Sequence, residues 1–219
     1  MVRTLSCLAA GALAAAVVAA PIRKDETSNF ISLKGHTNVN WDENLHSNRF
    51  EHNNLKSLPN GKQKFGDVEF EIGDGVMQLG SSNVEGKPKE IKDVKVGRTL
   101  KKLHFLQACG YKPDNDAEVV IGKYVIHYAD KTTADVEIVY GRDVVDWWAY
   151  PDQKAPTKGK PVWEGENEAS KGYDAKIKLY LMTWDNPKPD KKVMSLDFVA
   201  TNPEQPAAPF CVAISAGDK

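Results

Sequence analysis

Two-residue alternation between residues 118 and 141 constrains this chain more than any other feature. Glu118–Tyr128 and Ala134–Gly141 are rich in valine, isoleucine and tyrosine, and the polar stretch 129–133 separates them. On the first run Tyr124, Ile126 and Tyr128 share one face. On the second, Ala134, Val136, Ile138 and Tyr140 do, with Asp135 and Glu137 opposite. A period of two specifies strands, so the pair predicts a long antiparallel hairpin with one face on a core. A few residues later comes Asp146-Trp147-Trp148. Neighbours on an extended backbone point to opposite sides. Both indoles therefore cannot enter one core, and at least one must meet an edge, an interface or a ligand.

The same pattern recurs along the chain. Phe65–Ile72 alternates with Val68, Phe70 and Ile72 on one face, and Asn60-Gly61 and Asp74-Gly75 punctuate it as turns. Further strands are predicted at Phe30–Leu33, Val76–Leu79, Ile91–Val96 and Leu100–Ala108, and around Ile177–Trp184, Met194–Ala200 and Phe210–Ile214. In the 177–184 strand, Ile177, Leu179 and Leu181 are expected to face the core and Tyr180, Met182 and Trp184 to face away. His36–Asn54, rich in asparagine and histidine, has no clear period and reads as a loop. Tyr150–Ala175, full of lysine, proline and glycine, reads as one long connection carrying Trp163. So many strands with no helical period predict an all-β fold, an antiparallel β-sandwich or jelly roll. The expected core is Phe70, Leu103, Phe105, Tyr124, Ile126, Ile138, Leu179, Leu181, Leu196, Phe198, Val212 and Ile214.

The chain has 219 residues. At its start, Arg3 precedes the alanine-rich apolar run Leu5–Val18, and small residues follow. This has the form of a secretory signal peptide, and the run is shorter than the roughly 20 residues a spanning helix needs. The reading is a signal peptide at 1–19, a flexible lead-in at 20–29 and one β-sandwich domain at 30–216, in a secreted, periplasmic or otherwise extracytoplasmic protein. No membrane span is expected after cleavage. The near-neutral balance of 29 basic and 30 acidic residues argues against a nucleic-acid partner. Cys109 and Cys211 survive cleavage, and an even count in an exported chain suggests a disulfide. Two buried free thiols are the alternative.

The order of several features resembles a known family. These are the strand at 65–72, the stretch Val94–Ala108, Gly122–Asp130, Asp146-Trp147-Trp148, Trp163, and Trp184-Asp185-Asn186-Pro187 followed by a final aliphatic strand. Together, over roughly Phe30 to Ser215, they resemble the galactose-binding-like β-sandwich modules of secreted bacterial proteins, often found beside glycoside hydrolases. The resemblance implies a jelly-roll sandwich and carbohydrate binding. It also leaves a structural calcium open. Asp114, Asp116 and Glu118 alternate but lack the calcium-loop spacing and read as an acidic turn. No other cofactor is expected.

Sugars present flat C–H faces rimmed by hydroxyls, so an exposed indole with a nearby carboxylate or amide suits them. Trp148, Trp163 and Trp184 are the candidate platforms, with Tyr150 beside them and Asp146 and Asn186 as hydroxyl partners. The competing reading is that these tryptophans fill the core or are covered by the 150–175 segment or by a protein. That would make the chain a structural or interaction domain of the cell envelope. No nucleophile elbow, phosphate loop or zinc spacing is present. No catalytic residue is singled out, and a glycosidase-like acidic site is the remaining enzyme reading. The oligomeric state is not set by the sequence.

Overall fold

The structure is a computed structural model that describes residues 28–46, 49–115 and 118–217. The expected signal peptide at 1–19 and most of the expected lead-in lie outside these residues, as does Asp116 of the expected acidic turn. In chain order the strands are β1 (Phe30–Ile31), β2 (Val39–Asn40), β3 (Gly61–Phe65), β4 (Val68–Ile72), β5 (Gly75–Gln78), β6 (Glu90–Arg98) and β7 (Lys102–Gly110). There follow β8 (Val119–Tyr128), β9 (Thr133–Tyr140), β10 (Trp148–Ala149), β11 (Lys160–Gly165), a one-turn helix α1 (Glu168–Lys171), β12 (Lys176–Asp185), β13 (Val193–Ala200) and β14 (Ala208–Gly217).

An eight-stranded sheet runs β10-β12-β7-β14-β5-β2, with β11 also on β12 and β1 on β14. A four-stranded sheet runs β6-β13-β8-β9, and β3 and β4 form a separate hairpin. The fold is an antiparallel all-β sandwich. The hairpin expected at 118–141 is β8 and β9, with Tyr124 opposite Val136 and Ile126 opposite Ala134. Its apolar face packs on the larger sheet. The Tyr124 ring stacks on Phe105 at 4.0 Å and on Phe198 at 4.9 Å, so β7, β8 and β13 meet there. All twelve residues expected in the core are buried.

They do not all lie in one layer. Tyr180, Met182 and Trp184 of β12 stand opposite Gln107, Phe105 and Leu103 of β7. Because Phe105 faces the four-stranded sheet, so do they. Ile177, Leu179 and Leu181 face the other way. They are buried too, under the β3–β4 hairpin, whose Gly66 turn lies beside Val162 and Leu181. The expected inside and outside of β12 are therefore exchanged. Alternation marks the core only when the second face is wet, and here β3, β4 and the loop carrying Leu45, Leu55 and Leu58 cover it.

Two other expectations are corrected. The 150–175 connection contains β11 and α1. Pro161 and a register shift between Pro161 and Trp163 interrupt β11, which suits an edge strand and hides its period. Cys109 and Cys211 are free, buried thiols. Cys109 stands opposite Pro209 and Cys211 opposite Gln107, so the two are diagonal neighbours. Diagonal pairs lie roughly 7–8 Å apart, beyond the usual disulfide Cα separation of about 4.4–6.8 Å. Among the described residues no helix is long and apolar enough to cross a membrane.

Candidate functional site

The two adjacent tryptophans differ in burial but border one cleft, since Trp147 lies in a bend and only Trp148 begins a strand. Backbone bonds fix the pair between β7 and β12. The Trp147 N–H donates to the Cys109 carbonyl at 2.8 Å, and the Lys178 N–H donates to the Trp147 carbonyl at 2.8 Å. Trp147 is buried, its ring edge-on to Phe210 at 5.6 Å. Trp148 is half-buried and meets Phe50 at 5.3 Å and Tyr173 at 5.5 Å. Together these residues border a cleft of about 200 Å³, lined also by His46, Asn53, Gly110, Tyr111, Asp146 and Tyr150. That is less than the roughly 300–1,000 Å³ of a drug-sized site and suits one ring-sized unit. Tyr173 and Tyr150 stand at its rim, 54% and 43% exposed.

Three distant segments converge here, and asparagines tie them. The Trp148 Nε1 donates to Asn53 Oδ1 at 2.9 Å, and Asn53 Nδ2 donates to the Leu45 carbonyl at 3.1 Å. Asn167 Nδ2 donates to the Asn54 carbonyl at 2.9 Å, while its Oδ1 accepts the Ser170 N–H at 2.8 Å and so caps α1. The helix thus carries Tyr173 to the cleft. Gln153 Nε2 donates to the carbonyls of Asp146 and Trp148, at 2.9 and 3.0 Å.

His46 forms part of the cleft lining from a left-handed backbone, φ 68°. Its ring packs on Phe210 at 5.2 Å and Trp147 at 5.6 Å, and neither ring nitrogen has a hydrogen-bonding partner among the described residues. Burial lowers its pKa to about 3, so it is neutral at physiological pH. Only glycine fits beneath it: a Cβ at residue 110 would lie 2.2 Å from His46 Cδ2.

Among the described residues Asp146 is the only carboxylate in the lining. Its Oδ1 accepts the Trp148 N–H at 3.0 Å, and its N–H donates to the Tyr140 hydroxyl at 3.3 Å. Burial raises its pKa to about 7, although the Trp148 and Tyr111 amides oppose that rise. Burial and then Asp146 push the Cys109 thiol up. The Tyr180 phenol is raised by the same causes. Cys109 is thus a protonated core thiol whose sulfur meets the Gly110 and Tyr111 carbonyls.

Of the six ligand residues expected from sequence, the cleft unites Trp148, Asp146 and Tyr150. The other three lie elsewhere. Trp148 pairs with Ile177, whereas Trp184 sits seven residues further along β12, roughly 23 Å away at strand rise. There it is half-buried toward the four-stranded sheet. Asn186 is buried and structural: its Nδ2 donates to the Leu100 carbonyl at 2.8 Å and its Oδ1 accepts the Tyr128 hydroxyl at 2.6 Å. Trp163 lies on the edge strand β11 opposite Leu179, folded over Gly165. His46, Phe50, Asn53, Gly110, Tyr111 and Tyr173 had no sequence signal of a site, apart from the capping asparagine that positions Tyr173. Among the described residues no three or more His, Cys, Asp or Glu side chains are placed to share a metal.

No family model matches the chain, and no curated protein matches it.

Proposed function

We propose that this protein is a non-catalytic binding module that seats one sugar unit of a carbohydrate on Trp148. The observation that carries the reading is a half-exposed indole, flanked by Tyr150 and Tyr173 at the mouth of a cleft whose wall holds one carboxyl group. A flat C–H face on the indole and a hydroxyl on Asp146 would use both parts. Binding rather than hydrolysis fits the same cleft. A glycosidase pair needs a second carboxyl about 5–10 Å from the first, and among the described residues the lining offers Asp146 alone. A cysteine mechanism needs a thiolate beside a base. The Cys109 thiol is held protonated, and His46 makes no hydrogen bond to it. The extracytoplasmic location read from residues 1–19 belongs to the same proposal, and N-terminal sequencing of the protein from its native host tests it.

A glycan array with the mature protein tests the function. Binding should vanish in a folded Trp148→Ala variant and persist in Trp184→Ala and Trp163→Ala. If no glycan binds and every tryptophan emission is blue-shifted and unquenched by iodide, the interaction-domain reading replaces this one.

A further inference from the structure

Asp143 and Asp146 lie close in sequence and are held in different ways. Asp143 is buried together with a cation: Arg142 Nη2 lies 2.8 Å from its Oδ2, which also accepts the Val139 N–H at 2.9 Å. Asp146 instead accepts backbone N–H groups, that of Trp148 at 3.0 Å and that of Tyr111. The side chains packed around it are uncharged. β7 presents the Cys109 thiol and β12 the Tyr180 phenol, both kept protonated by burial. β9 presents the Tyr140 hydroxyl, and the loop presents His46, kept neutral by burial. Among the described residues no lysine or arginine lines the cleft. Amide N–H groups favour a carboxylate, and desolvation opposes it. A desolvated carboxylate is normally paired with a cation. Asp143 has one, whereas Asp146 keeps some exposed surface and opens on the cleft.

The aromatic lining suits the same charge. The rings of Trp148, Phe50 and Tyr173 form a triangle, with centroids 5.3, 5.5 and 5.5 Å apart and interplanar angles of 47°, 86° and 45°. Rings tilted in this way present faces as well as edges, and an aromatic face attracts a cation. One such contact is already made at the cleft wall, where the Arg49 guanidinium lies over Phe50, 5.5 Å from the ring centroid. Arg49 is exposed, so solvent and salt screen its charge from the cleft floor. Gln153 clamps the Asp146 and Trp148 carbonyls, at 2.9 and 3.0 Å, so the carboxyl group and the indole keep one relation to each other.

We propose that the sugar unit seated on Trp148 is a cationic amino sugar, with its ammonium group donating to the Asp146 carboxylate beside the aromatic faces. This rests on the carbohydrate-binding reading above and names the class of sugar within it. The ammonium group supplies the counter-ion that Asp146 does not find among the described residues, and it favours the ionised carboxyl. A neutral sugar would leave the carboxyl group without a counter-ion, and an anionic sugar would place a like charge beside it.

The test titrates the mature protein at pH 6.5 and reads tryptophan fluorescence. The probes are glucosamine, glucose and N-acetylglucosamine, the hexaose of each, a hexagalacturonate and choline. Hexaglucosamine should bind roughly 10- to 100-fold more tightly than either neutral hexaose, and the hexagalacturonate should bind most weakly. Asp146→Asn should lose that preference and bind the cationic and neutral hexaoses alike. A preference that persists in Asp146→Asn is diffuse attraction to acidic surface and would overturn the inference. Equal wild-type affinity for all hexaoses, or a preference for the hexagalacturonate, would overturn it too, and in all three cases the carbohydrate reading stands. If choline binds and no sugar does, or if no probe binds, both readings fall. If Asp146→Asn does not fold, the monosaccharides decide on the wild type, because a single charge gains little from diffuse attraction. Glucosamine must then bind more tightly than glucose and N-acetylglucosamine, and equal affinity overturns the inference.

Discussion

β12 has a tryptophan beside a polar group near each end, and the two ends use the same residue types in opposite ways. At its C-terminal end, Trp184 leans toward the four-stranded sheet and Asn186 has its polar atoms satisfied by Leu100, Tyr128 and Lys188. At its N-terminal end, Trp148 stands in a cleft, Asp146 is desolvated, and His46 lacks partners for both ring nitrogens. The first arrangement closes the sandwich. The second leaves a desolvated carboxyl group beside exposed aromatic surface, the arrangement on which the binding proposal rests. A tryptophan next to a carboxylate or amide in sequence is thus no guide to a site until the satisfaction of its polar atoms is known.

The largest expected effect tests whether the cleft end is anchored in the core. Trp147→Ala empties a buried space against Phe210 and His46 and should cost about 3–5 kcal/mol, read from urea denaturation. Half-buried Trp184→Ala should cost clearly less. Equal costs would break the distinction between the two ends.

Asp146→Asn sharpens the electrostatic side of the comparison. The Asp146 proton is held to about pH 7 in the folded chain and to the ordinary 3.8 when unfolded. Below both values neither state is ionised and nothing is lost. As pH rises between them the unfolded chain releases its proton first, so the folded state loses stability. The loss is complete above about pH 7 and amounts to about 4 kcal/mol for roughly three units. The stability of Asp146→Asn relative to wild type should therefore rise by that order between pH 4 and pH 8. His46, with its depressed pKa, lowers stability as pH falls from 6.5 toward about 3, but it does so in both proteins and cancels. A pH-independent difference would show that Asp146 is not desolvated.

At the opposite end, Asn186→Ala strands the Leu100 carbonyl and the Tyr128 hydroxyl and should cost about 1–3 kcal/mol while leaving cleft binding unchanged. Loss of glycan binding in that variant would erase the distinction. The smallest effect is Trp148→Phe. It removes the Nε1 bond to Asn53 and should cost about 1 kcal/mol, with binding weakened but not abolished because an aromatic face remains.

The strands were legible because a one-residue slip would turn each apolar set to the wrong side, so β4 and β9 carry their period openly. β11 was not, because Pro161 and a register shift break its alternation. β12 was legible as a strand but not in its facing, since an apolar residue buried under a hairpin reads the same as one buried between sheets. Half of the site was visible as aromatic residues next to Asp146. The rest came from residues 46–53 and 173, whose identities as loop histidine, asparagine and tyrosine carry no pattern.

By itself the sequence determined an all-β chain, the β8–β9 hairpin and the buried positions, because each follows from local backbone geometry. Only the tertiary structure decided that Cys109 and Cys211 lie diagonally and stay free, that Trp184 and Asn186 serve the sandwich, and that His46 joins Asp146 in one cleft. Those outcomes depend on strand register and on loops meeting across more than 90 residues of chain, and neither is encoded within the span of a turn or a strand.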